Sequence, residues 1–177
     1  MPITLNGNGS ITGLAQGGID GTKVVTSAAQ PAGSVIQIVE GSTTTQQTPT
    51  GQNYLLALQK DITPSATANN VFVSAVIHYG LSTPNNADEG MGFKLTRTVS
   101  GTETTLYESD DPYDVYEYGS QGISEARRHK PIQFLDTGIS TTSAATYKVY
   151  ARDYSSGTAT VQTAGGKSTI HLMEIVG

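Results

Sequence analysis

At 177 residues with a net charge of −5, the chain suits one compact domain plus an appendage, and its acidic balance excludes a nucleic-acid partner, which needs a basic stripe. It has no cysteine, which excludes disulfides, thiolate metal sites and a cysteine nucleophile. Charged residues make up only 14%, against about 25% in a typical domain, and hydroxyl, amide and glycine residues fill the gap, as in β-rich extracellular or particle-surface proteins.

The first thirty residues differ from the rest. Residues 3–30 carry six glycines between small apolar residues at short intervals. No basic and apolar leader opens the chain, and no run reaches the ~20 apolar residues of a membrane span, so neither secretory signal nor membrane partner is expected. Ile3, Leu5, Ile11, Leu14 and Ile19 are read as an anchor or stalk that buries its thin apolar stripe on another protein or around a symmetry axis. Gln30 to Gly33 reads as a hinge, which divides the chain into an attachment segment, 1–32, and a knob, 33–177.

The knob opens on a β-branched strand over 34–39, followed by a polar loop over 41–51. The short leucine run 54–59 lies between turn signals and is assigned as strand. Residues 70–79 form the strongest strand. Val71, Val73, Ala75, Ile77 and Tyr79 make one apolar face, while Phe72 and Val76 add apolar weight to the other. Residues 91–99 alternate, with Met91, Phe93 and Leu95 inward and Lys94, Thr96 and Arg97 outward, the phase slipping near Val99. Ser100-Gly101 turns a hairpin into 104–107. Residues 108–125 are read as a tyrosine-rich acidic loop, and four basic residues, 127–130, follow it. Strands near 132–135, 146–153, 158–163 and 169–176 close the chain. About ten short strands and no convincing helix give an all-β antiparallel sandwich, and the count fits a jelly roll.

Three stretches resemble one family. Residues 31–39, PAGSVIQIV, resemble the opening of the globular tip of many bacteriophage virion proteins, marine phages and cyanophages among them. TYKVYAR at 146–152 with STIHLMEI at 168–175 resembles its closing strands, and LNGNGSITGL at 5–14 is similar to its glycine-rich attachment segments. The resemblance implies a homotrimeric jelly roll of the C1q/tumour-necrosis-factor shape on the virion surface. Residues 1–32 would join another virion protein, whether capsid, baseplate or fibre. It leaves open a tail-fibre tip for host adsorption and a head fibre or capsid decoration without a ligand. Surplus apolar weight on 70–79 and on the closing strand places the trimer contact at Phe72, Val76, His78, His171, Met173 and Ile175.

The candidate ligand residues are Tyr107, Asp110, Asp111, Tyr113, Asp114, Tyr116, Glu117 and Tyr118. Tyrosine rings with acids beside them suit a host-surface polysaccharide: rings cover the apolar sugar face and carboxylates accept hydroxyls. The same residues also suit a solvated acidic loop whose tyrosines fold back on the domain, with Arg127, Arg128 and Lys130 pairing to its acids and fixing it. The three histidines have no metal spacing, the acids lack an EF-hand pattern, and no nucleophile–base set can be assembled. Neither enzyme activity nor a cofactor is expected.

Overall fold

The computed structural model describes residues 4–5, 11–12, 30–83, 88–109, 113–118, 125–154 and 158–177. Near the start, β1 (Thr4–Leu5) pairs antiparallel with β2 (Ile11–Thr12), placing Leu5 opposite Ile11. Ile3, Leu14 and Ile19 of the expected anchor lie outside the described residues.

The knob is a two-sheet antiparallel sandwich. Its long strands are β3 (Val35–Thr43), β4 (Leu55–Ile62), β5 (Asn70–Ser82), β6 (Glu89–Val99), β7 (Thr102–Glu108), β9 (Ala126–Asp136), β10 (Ala145–Asp153) and β12 (Ser168–Ile175). One sheet runs β3-β12-β5-β9 and the other β4-β10-β6-β7. Of these eight strands, the first, eighth, third and sixth share one sheet, and the second, seventh, fourth and fifth share the other. That connectivity is the jelly roll, as the strand count anticipated. Two short strands extend it. β8 (Val115–Glu117) pairs with the start of β6 alongside β7, and β11 (Thr158–Val161) pairs with the end of β5 in line with β12.

Burial follows the period-2 pattern. Val71, Val73, Ala75 and Ile77 of β5 are fully buried against Phe93 and Leu95 of β6, Tyr147, Val149 and Ala151 of β10, and Ile170 and Leu172 of β12. The leucine run forms a strand because β10 pairs with it from Leu55 to Ile62. Ser100 and Gly101 both take positive φ, 49° and 83°, which makes the expected tight hairpin between β6 and β7. The knob's two ends are stitched together: Gly33 N–H donates to Val176 O at 2.8 Å, and Val176 N–H to Ser34 O at 3.0 Å.

Several boundaries differ from the sequence reading. β3 runs on to Thr43, into the stretch read as polar loop. β9 begins at Ala126, so the basic run is strand. It lies at the sheet edge, where lysine and arginine are favoured because they deter further pairing. Three residues of the acidic loop, Val115–Glu117, are strand, because β6 offers them a partner edge beyond the end of β7.

Arg97 does not face outward. It sits opposite Tyr147, on the inward side, and spans the sandwich to Asp136 of β9. Its Nη1 donates to both carboxylate oxygens, at 2.8 and 2.7 Å, while Tyr147 OH donates to Oδ2 at 2.7 Å and Gly138 N–H to Oδ1 at 3.1 Å. Burial and the carboxylate push the Tyr147 phenol far up, so it stays a donor. A second buried carboxylate, Glu174, closes the end of the sandwich where β12 finishes. It accepts from Asn69 Nδ2 at 2.6 Å, Ser65 N–H at 2.6 Å, Ser65 Oγ at 2.8 Å and Gln37 Nε2 at 2.9 Å. Burial acts to raise its pKa, but these donors outweigh it and hold Glu174 below its ordinary value.

Candidate functional site

Directly opposed residues of an antiparallel pair project to the same side. The outer face of the β3-β12-β5-β9 sheet can therefore be read row by row from the register. One row crosses all four strands as Ile38, Met173, Phe72 and Leu135. Strands spaced about 4.8 Å apart make this row about 14 Å long. Val35 and Ile175 extend it toward one end. On the other side lies the row Glu40, His171, Ser74 and Gln133, and beyond it Ser42, Thr169, Val76 and Pro131. All six residues expected at the trimer contact project from this face.

Three large apolar side chains on or beside this row are exposed. Ile38 is 60% exposed, Val35 49% and Leu135 48%. They are three of the four large apolar residues exposed among the described residues, the fourth being Tyr118. The histidines sit differently. The His171 ring lies 3.8 Å from the Glu40 carboxylate. His78 packs edge-on to His129 at 4.9 Å and lies over Gly166, whose missing side chain makes room for the ring. Burial first, then His129 and Arg127, lower the His78 pKa.

The outer face of the other sheet has the opposite character. Tyr54 lies between two cations, with Lys94 Nζ 4.3 Å and the Arg152 guanidinium carbon 4.9 Å from its ring centre. Glu103 accepts from Lys148 Nζ at 3.3 Å and Tyr150 OH at 3.1 Å. The knob thus presents one sheet face crossed by an apolar row and one charged, phenolic face.

The structure divides the tyrosine–acid stretch in two. Asp110 and Asp111 lie outside the described residues. Tyr107, Asp114 and Glu117 serve as braces. Asp114 accepts from Ser109 Oγ at 2.5 Å, from the Tyr107 hydroxyl, from Lys130 Nζ at 3.1 Å and from Phe93 N–H at 3.1 Å. Burial alone would raise its pKa, but these bonds hold it below the ordinary value. Glu117 pairs with Arg128, and Arg127 with Glu125 at 2.7 Å. The basic run therefore pairs with acids of residues 108–125, one of the two possibilities the sequence allowed.

Tyr118 is exposed, Tyr113 and Tyr116 are half-buried, and the three form a chain of rings. Tyr118 meets Tyr116 at 4.8 Å, Tyr116 meets Tyr113 at 4.6 Å, and Tyr113 meets Tyr154 at 4.8 Å between ring centres. Tyr116 OH donates to Asp88 at 2.7 Å, and that bond, with some burial, pushes the phenol up to about 12. Gly90 lies beneath: a Cβ there would come within 3.0 Å of Tyr113 and 3.1 Å of Tyr116. Sequence reasoning missed Tyr154, Asp88, Ile38 and Leu135. The first two are remote in sequence from the loop, and the other two lie in strands whose partners only the register discloses.

No protein-family model matches the chain. No curated protein matches it either. Among solved structures it is similar to that of infectious bursal disease virus strain Gx, with 11% identity over 81% of this chain and 39% of that one, TM-score 0.38. The VP2 subviral particle of the same virus gives 11% identity, 80% and 38% coverage, and TM-score 0.36. Xylanase 10C from Cellvibrio japonicus, in complex with xylopentaose, gives 10% identity, 76% and 26% coverage, and TM-score 0.31. The chain spans about two fifths or less of each of these chains, and at these scores the likenesses carry no functional weight.

Proposed function

We propose that the chain is a structural protein of a bacteriophage virion, a homotrimeric knob displayed on the particle surface and held there through residues 1–32. The observation that carries the assembly part is the row Ile38, Met173, Phe72 and Leu135, on the outer face of one sheet only. An apolar row with exposed ends, Ile38 and Leu135, and half-buried middle residues, Met173 and Phe72, is the kind of surface that contacts another protein. Closed symmetry around an axis covers such a face on every copy at once. The number three comes from the resemblance of residues 31–39, 146–152 and 168–175 to phage knobs. The eight-stranded jelly roll supports a virion role by analogy of fold, since capsid domains use it among other functions.

In this reading the knob acts by binding, as a tail-fibre tip for host adsorption. A second reading, a head fibre or capsid decoration without a ligand, is favoured by the braces: Asp114 and Glu117 are both engaged within the chain. Gold-labelled antibody against the knob, applied to purified phage particles, distinguishes the two. Label at the tail supports the adsorption tip, label on the head supports the decoration, and unlabelled particles refute the virion assignment.

A further inference from the structure

Tyr118 is 71% exposed and lies apart from the sheet face that holds the other exposed large apolar residues. Assembly through that face leaves it unexplained. The fold does not need its ring in the core, yet the ring lies edge-on against Tyr116, at 77° between planes. The rings beyond it are held from below. Gly90 is opposite Tyr116 in the β6–β8 register, Tyr154 N–H donates to Gly90 O at 3.0 Å, and Asp114 N–H donates to Met91 O at 2.9 Å. Lys130 and Arg128 fix the acids between the rings through Asp114 and Glu117. The result is a preorganised aromatic strip, four rings long, with successive ring planes tilted by 77°, 32° and 58° and the Asp88 carboxylate accepting from Tyr116 OH at one side.

We propose that Tyr118, Tyr116, Tyr113 and Tyr154 form a stacking platform for a neutral polysaccharide. The inference rests on the reading of the chain as a displayed knob and names the chemical class it would take. A pyranose ring has an apolar C–H face and a hydroxyl rim. Ring faces cover the first, and phenols and a carboxylate exchange hydrogen bonds with the second. Rigid tyrosines supply contact area while losing little side-chain entropy. The chain's net charge of −5 disfavours a polyphosphate, whose binding depends on cationic side chains.

The test uses the full chain against a panel of bacterial O-antigen and capsular polysaccharides, with dextran as a plain neutral glucan. The chain has no tryptophan, so its intrinsic emission comes from its nine tyrosines, four of them in the platform, and the Tyr118 variants show which part of the signal belongs to it. Saturable quenching or enhancement by a neutral polysaccharide is expected. Tyr118→Ala lowers the single-site affinity about tenfold, and Tyr118→Phe changes it less than about threefold, because the ring face does most of the work. Ile38→Glu, on the sheet face, disperses the oligomer, keeps the single-site affinity and loses the multivalent gain. No response to any polysaccharide, or Tyr118→Ala binding like the parent, overturns the platform while leaving the trimer standing. A monomeric parent that binds sugar overturns the trimer and keeps the platform.

Discussion

Asp136 is the carboxylate through which the two sheets grip each other, and its removal tests how the assembly face is held. Asp136→Ala strands Arg97, whose side chain is 13% exposed, and the fully buried Tyr147 hydroxyl, and leaves Gly138 N–H without its acceptor. Breaking a buried ion pair from one side costs about 3–5 kcal/mol. Arg97 keeps some access to water, so the lower end applies, about 3 kcal/mol. A chain of this size loses about 2–4 °C of Tm per kcal/mol, so Tm falls by about 6–12 °C. Tyr147→Phe removes one donor and leaves the ion pair, costing about 1.5 kcal/mol. The assay is thermal and urea unfolding of both variants and of the double variant. Asp136→Ala within about 1 kcal/mol of the parent, or no more costly than Tyr147→Phe, refutes the reasoning. Asp136 ends β9 next to Leu135, which projects to the opposite side, so the same variant should also weaken self-association.

Further outcomes follow from single groups. Glu174 and Asp114 titrate below their ordinary values when folded, so each stabilises the fold above the usual carboxylate range and loses that contribution as pH falls through its folded pKa. Acid unfolding should therefore steepen below about pH 4, and Glu174→Gln should flatten the profile there, read as Tm against pH. His78 is likewise lowered, so stability also declines as pH drops below about 6.5, its ordinary value. His78→Gln should remove that earlier step and leave the carboxylate one. Gly90→Ala crowds Tyr113 and Tyr116 and costs about 1–3 kcal/mol in Tm measurements, with a shift of the tyrosine ring signals in NMR.

The sandwich was legible where alternation was long. Asn70 to Tyr79 announces its buried face residue by residue, and Tyr147, Val149 and Ala151 separate cleanly from Lys148, Tyr150 and Arg152. Arg97 is in phase with the inward Met91, Phe93 and Leu95, and its charge alone assigns it outward until the partner Asp136 is in view. Glu174 is in phase with Ile170 and Leu172, but the donors that let it stay there come from Gln37, Ser65 and Asn69, far away in sequence. The tyrosine surface was half legible. Three of its rings lie within six residues, 113–118, whereas Tyr154 comes just after the end of β10. Sequence proximity also grouped Tyr107 and Asp114 with the surface rings, although the structure gives them to the interior brace. The apolar row of the proposed assembly face was visible in Phe72 and Met173, and Ile38 and Leu135 complete it only once the register is known.

The assembly face makes the most direct demand on solution behaviour. Sedimentation equilibrium of the full chain, run over a wide concentration range, should give a particle of three times the 18.5 kDa chain mass, and Phe72→Asp should reduce it to one chain with its strand content unchanged. A parent that sediments as a single chain at every concentration, or a Phe72→Asp variant that stays trimeric, would contradict the proposed assembly.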